Sequence, residues 1–127
     1  MALVGMDHVV VRVEDFDASV KKWESITGKQ VDRTDQNDGL GIKQAFFDLP
    51  GGGFIEIVAP TDPEGAVGKA IAGRGEGIHT LTMSVDNMAD TIDGLKSAGV
   101  QLIGEGGPQV FIHPKSANGV LVQLSEG

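Results

Sequence analysis

Residues 77–87, GIHTLTMSVDN, decide the reading of the fold. The stretch alternates as a strand does: His79, Leu81, Met83 and Val85 fall on one face, and Thr80, Thr82 and Ser84 on the other. Successive side chains of a strand point to opposite faces, so the element has an apolar side and a small polar side. The chain opens on the same plan with GMDHVVVRVED at 5–15. Setting Val13-Glu14-Asp15 against Val85-Asp86-Asn87 brings Asp7 onto His79 and His8 onto Thr80. One copy puts its histidine on the polar face, and the other puts it on the apolar face.

Working outward, each copy continues in the same order. Residues 14–27 predict a helix with Phe16, Val20, Trp23 and Ile26 or Thr27 as its apolar stripe. Asp15 or Asp17 caps its start, and Gly28 is suited to a left-handed stop. Strands are expected at 29–34, at 42–49 with Ile42, Gln44, Phe46 and Asp48 on one face, and at 54–58 with Phe54, Glu56 and Val58 on one face. Turn chemistry separates them at 35–41 and 50–53. In the second half Asp86 or Asn87 caps a helix with Met88, Ile92 and Leu95 inward, and Gly99 stops it. Strands follow at 100–103, 110–113 and 120–124. Only 60–76 repeats nothing. It holds a short helix at 64–72, with Val67, Ala70 and Ile71 inward, and then the flexible approach GRGEG at 73–77.

A βαβββ unit cannot bury both faces of its sheet alone, so two of them are expected to pair. The fold class is therefore α+β: two tandem βαβββ modules, 5–59 and 77–125, joined by a linker at 60–76, form one open, mostly antiparallel sheet with a cleft. All of 1–127 is read as a single domain.

Composition narrows the function. With 127 residues, 40% of them hydrophobic, the chain is long enough for one compact core. A net charge of -8 and the absence of any basic cluster argue against a nucleic-acid partner. Aromatic residues are 5%, with no tyrosine, which leaves no platform for base stacking. No apolar run approaches the ~20 residues that span a bilayer, so no membrane partner is expected. MALVGMDHVV lacks a basic region followed by an apolar one, so no secretory signal is read. There are no cysteines, hence no disulfide framework, and a cytoplasmic location is expected.

DHVVVRVED (7–15), IEIVAP (55–60), RGEGIHTLTMSVDN (74–87), GLKSAGVQLI (94–103) and FIHPKSANGVLVQLSEG (111–127) together resemble the vicinal oxygen chelate superfamily, the glyoxalase and bleomycin-resistance fold. The likeness is greatest to its methylmalonyl-CoA epimerase branch, and it covers nearly the whole chain. The resemblance implies four ligand positions on the first and last strands of each half, which fall on His8, Glu56, Thr80 and Gln123. His8, Glu56 and Gln123 are the metal ligands this implies, for a divalent ion such as Co, Mn, Ni, Zn or Mg. Thr80 is a poor fourth ligand, because a neutral hydroxyl binds weakly. The resemblance also places the epimerase's two proton-transfer carboxylates at Gln44 and Gln123. Both are amides here, and an amide does not exchange a proton at useful rates near neutral pH.

The catalytic candidates are thus His8, Glu56, Gln44 and Asp48, with His8 and Glu56 an acid–base pair if no metal binds. For Asp48 the preferred reading is a solvated turn residue. The substrate-binding candidates are Arg12, Thr80, Gln123 and Lys115. Arg12 suits a carboxylate or phosphate, or an ion pair with Glu14. Lys115, beside Ser116 in the HPKS turn, matches a turn near the ligand mouth. The expected function is an isomerase, epimerase or lyase acting on an acyl-CoA or another enolisable carbonyl compound. The alternative is a metal-free small-molecule binding or resistance protein of the bleomycin-resistance type. Related proteins are commonly dimers, so a homodimer is expected.

Overall fold

The computed structural model describes residues 3–126; Met1, Ala2 and Gly127, at the ends of the expected domain, lie outside the described residues. Strand β1 (Leu3–Arg12) leads to helix α1 (Phe16–Thr27), then to β2 (Arg33–Asn37), β3 (Ile42–Asp48) and β4 (Phe54–Pro60). Helix α2 (Ala66–Arg74) precedes β5 (Gly77–Val85), helix α3 (Met88–Ser97), β6 (Leu102–Ile103), β7 (Val110–Ile112), a single 3-10 turn at Pro114–Ser116 and β8 (Val122–Glu126). The strands form one eight-stranded sheet in the order β2-β3-β4-β1-β5-β8-β7-β6. The pairs β2–β3, β3–β4, β6–β7 and β7–β8 are antiparallel, and β5–β8 is parallel.

The chain forms two compact units. One is the segment from Val9 to His79; the other joins the residues up to His8 to those from Thr80 onward. The division falls inside β1 and inside β5, not at the ends of the sequence repeats.

In the 9–79 unit, strand parity sorts the side chains as the alternation predicts. Val13, Ala45, Phe47, Ile57 and Ala59 are buried together, with Phe16, Val20 and Trp23 of α1 packed on them. The Asp15 carboxylate accepts the Ala18 N–H at 3.0 Å and so caps α1. Gly28 ends it at φ 73°, a left-handed conformation that costs glycine little. The opposite face of the same strands presents Val10, Ile42 and Val58, and these are buried against Val67 and Ile71 of α2. The 60–76 stretch is therefore more than a linker, because α2 closes part of the second face of this unit. It runs two residues later than the expected 64–72 helix.

Three strand expectations are corrected. The second strand is Arg33–Asn37, not 29–34, because Arg33↔Phe46 through Asn37↔Ile42 pair with β3. Asp35, Gln36 and Asn37 look like turn residues, but on an exposed edge strand their side chains meet water while the backbone ladder is satisfied. The turn is left to 38–41. The strand expected at 100–103 shortens to Leu102–Ile103, and the last strand shifts to Val122–Glu126.

In the other unit Val85, Val110, Val122 and Leu124 are buried with Met83, Ile112 and the α3 residues Met88, Ile92 and Leu95 around them. Asn87 caps α3 by accepting the Asp90 N–H at 3.0 Å.

Gly68 fixes how closely α2 approaches the chain before it. A Cβ at this position would lie 2.5 Å from the Asp62 carbonyl oxygen and 2.7 Å from Pro63 Cα. Alanine in a helix interior gains about 1 kcal/mol over glycine in propensity, but here the obstacle is backbone, which cannot rotate away. Gly68→Ala should be net destabilising by about 1–3 kcal/mol, read as a lower urea midpoint; a raised midpoint would show that α2 can lift off.

Candidate functional site

In the unit that holds both chain ends, the polar sites come from β1, β5 and β8. The His8 ring sits on β1 with Nδ1 2.7 Å from Asp7 Oδ2. Its Nε2 lies 3.3 Å from the Thr82 hydroxyl of β5, which in turn lies 3.3 Å from Gln123 Oε1 on β8. The parallel register of β5 and β8 sets Thr82 directly beside Gln123. Thr82 is 1% exposed and Thr80 5%, so the small polar face of β5 is more deeply buried than its length suggests.

The Asp7 carboxylate accepts the hydrogen bond of Nδ1–H, which in neutral imidazole leaves Nε2 as the lone-pair nitrogen facing Thr82. In that tautomer the Thr82 O–H donates to Nε2, and the Gln123 amide serves best with its NH2 toward Thr82. If the imidazole is protonated, Nε2–H donates to Thr82, and Thr82 donates to Gln123 Oε1. Both arrangements satisfy every group in the row, and they differ by a flip of the Gln123 amide.

In the 9–79 unit Gln44 and Glu56 sit on one face of the β3–β4 ladder, and Gln44 Nε2 donates to Glu56 Oε2 at 2.9 Å. Glu56 is nearly buried, at 9% exposure. Asp48 binds Arg33 at 3.1 and 3.2 Å to its two oxygens, in an exposed pair. The Arg33 guanidinium stacks 4.5 Å from the centre of the Phe46 ring and 5.9 Å from that of Phe54. Asp48 therefore holds an arginine over two aromatic rings.

Arg12 donates Nε to the Gly75 carbonyl at 2.7 Å and Nη1 to the Ile78 carbonyl at 2.8 Å. It is buried, at 6% exposure, and does not pair with Glu14, whose N–H instead donates to Glu76 Oε2 at 2.8 Å. Lys115 is exposed in the 3-10 turn, its N–H donating to His113 Nδ1 at 3.0 Å. The HPKS turn is also a clamp: His113 N–H donates to the Gln101 carbonyl, and Ser116 Oγ accepts the Gln101 N–H, each at 2.9 Å.

For a divalent metal the donor chemistry is thin. Among the described residues no group of three or more His, Cys, Asp or Glu side chains gathers to hold one. Next to His8 stand a hydroxyl and a neutral amide, and the nearby carboxylate of Asp7 is already on Nδ1. An open divalent site wants about three good donors with anionic charge among them. The set His8, Glu56 and Gln123 has a single carboxylate, and that one accepts from Gln44. The residues fit a metal poorly, and no chemical step below runs through one.

Sequence reasoning overlooked Asp7 and Thr82. The signals were available: an Asp immediately before His8, and Thr82 two residues from Thr80 on the same strand face.

The histidine on the other parity is His79. Its Nδ1 is buried with no hydrogen-bond partner. Burial, then the charges of Arg12 and Arg74, lower its pKa below the ordinary 6.5. The unfolded chain takes up a proton below about pH 6.5 that the folded chain refuses. This contribution to stability is complete above the unfolded pKa and is lost as pH falls toward the folded one. Between about pH 7.5 and 5.5, the denaturation midpoint of the wild type should therefore fall more than that of His79→Gln. Equal falls would show that His79 titrates normally.

The model of the Glyoxalase/Bleomycin resistance protein/Dioxygenase superfamily matches residues 7–116. The Ethylmalonyl-CoA/methylmalonyl-CoA epimerase of Cereibacter sphaeroides is 30% identical over 95% of this chain and 96% of its own. Among solved structures, methylmalonyl-CoA epimerase from Mycobacterium tuberculosis superposes with a TM-score of 0.81 at 32% identity, covering 98% of this chain and 88% of that one. A variant of the Streptomyces coelicolor methylmalonyl-CoA epimerase in complex with 2-nitronate-propionyl-CoA gives 0.79 at 28% identity, covering 99% of each chain.

Proposed function

This chain belongs to the glyoxalase/bleomycin resistance protein/dioxygenase superfamily, and on that footing we propose that it is an epimerase-like enzyme moving a proton at the carbon beside the thioester of an acyl-CoA. The observation that carries the reading is the 2.7 Å contact of Asp7 with His8 Nδ1, which leaves Nε2 as the basic atom. The relatives supply the substrate class: their names and ligands are malonyl-type and propionyl-CoA thioesters.

In the proposed step the C–H bond beside the thioester breaks, its proton goes to His8 Nε2, and the electron pair passes into an enolate. Asp7 holds the imidazolium through Nδ1 and stabilises its charge. Thr82, beside Nε2, and Gln123, beside Thr82, are neutral hydrogen-bond groups for the enolate oxygen. Reversal returns the proton to carbon. Inversion at carbon needs an acid on the opposite face, and the amides of Gln44 and Gln123 cannot supply one. The chemistry therefore favours exchange or same-face isomerisation over efficient epimerisation.

In deuterated water the protein should exchange deuterium into methylmalonyl-CoA faster than it inverts the centre, measured by mass spectrometry and by chiral coupling to a stereospecific enzyme. His8→Ala should lower the exchange rate by about 10²–10⁴-fold, the usual worth of a positioned acid or base. Asp48→Asn should leave it unchanged. Gln123→Glu, which restores a carboxylate, should raise inversion relative to exchange. No exchange above background in the wild type would remove the enzymatic reading. Tight calorimetric binding of the same thioester without exchange would then support the metal-free binding protein, a reading favoured by the two amides at Gln44 and Gln123.

A further inference from the structure

Arg12 is a buried cation with no anionic partner among the described residues, in a protein of net charge -8. Its two described hydrogen bonds go to the backbone carbonyls of Gly75 and Ile78. A guanidinium has five N–H donors in a rigid fork, so Nη2 and one hydrogen of Nη1 remain unused. Carbonyl dipoles hold the side chain in place but do not cancel its charge, and a buried charge of this kind is costly without a counter-ion.

Two further groups share the surroundings, both in the 9–79 unit. Arg74, the last residue of α2, is exposed and has no described carboxylate partner, and its charge acts on both Arg12 and His79. His79, at the start of β5, has a buried Nδ1 with nothing bonded to it. The nearest acidic side chain in the sequence, Glu76, is engaged by the Glu14 N–H. Gly77 stands between these groups in the chain; even a methyl there would begin 3.8 Å from Arg12 Nη2, so its lack of a side chain leaves that nitrogen uncovered. An unused planar fork, an orphaned ring nitrogen and a second cation are the groups that take up a small anion with several acceptor oxygens.

We propose that Arg12, Arg74 and His79 form a binding site for a small oxyanion, a phosphate or carboxylate group, where the end of α2 meets the start of β5. The two arginines supply charge, the Arg12 fork supplies direction, and His79 supplies a third contact from the strand. The 73–77 glycine-rich segment contributes the Gly75 carbonyl that holds Arg12, and Ile78, the residue after it, contributes the other. The site does not depend on the proton transfer proposed for His8, since it uses other residues in a different unit.

The test follows the three histidines, His8, His79 and His113, by NMR of the histidine-labelled full chain. Inorganic phosphate and malonate are titrated separately, with potassium chloride at matched ionic strength as control. The expected result is a saturable shift of the His79 ring signals with one or both anions, while chloride gives none and His113 stays fixed. Tighter phosphate binding would assign the site to a phosphate source, and tighter malonate binding to a carboxylate source. Arg74→Gln, at an exposed position, should fold normally, leave the His8 and His113 signals in place and weaken binding at least about fivefold, a range in keeping with loss of one charge-assisted contact. Arg12→Lys, which keeps the charge but loses the fork, should weaken it further. A His79 response no different from that of chloride, or unchanged affinity in Arg74→Gln, would overturn the proposal.

Discussion

The alternation of side chains across the strands is the constraint on which the rest of the structure depends. Val13, Ala45, Phe47, Ile57 and Ala59 lie on one parity beneath α1, none of them more than 4% exposed. Burying a side chain the size of Phe47 or Ile57 is worth roughly 1.5–3 kcal/mol. Moving a strand by one residue would turn such groups out together, so the register of β3 on β4 is held by the whole row. The polar residues on the other parity inherit that precision. Gln44 meets Glu56, and Asp48 meets Arg33, because the face behind them is packed.

The same constraint lets neutral amides stand among the polar groups of these strands without disturbing the fold. Gln44 donates to Glu56, a contact that a glutamate could make only by sharing a proton. Gln123 stands beside Thr82 and completes a row that starts at Asp7. These amides supply hydrogen bonds and carry no charge. What remains ionisable in the row is the pair Asp7 and His8, neighbours in the chain. The fold is that of the superfamily, while the distribution of acid and base groups is this chain's own.

The repeat in 5–15 and 77–87 carried the fold, since the period of two and the capping residues Asp15 and Asn87 are local signals that packing did not override. Parity also placed His79 and Thr80 on opposite faces, as found. The polar edge strand β2 was not legible, because Asp35-Gln36-Asn37 is turn chemistry until a partner strand satisfies its backbone. The role of α2 was hidden for a similar reason: its contacts are with Val10, Ile42 and Val58, distant in sequence. At the site, His8, Glu56 and Gln123 were readable as residue types, but their partners were not. The Asp7–His8 contact joins neighbours that an ideal strand would point apart. Arg12 was read as a ligand for a carboxylate or as a partner for Glu14, and only the structure ties it to Gly75 and Ile78.

Trp23 packs on the core beneath α1, and the chain has one tryptophan and no tyrosine. Intrinsic fluorescence is therefore a private signal of the 9–79 unit, blind to the strands and helix that follow Thr80. Far-ultraviolet dichroism, by contrast, averages over α1, α2 and α3 alike. The molecule thus carries its own pair of probes for cooperativity: coincident melting curves mean that both units unfold as one, and separated curves resolve them without any label.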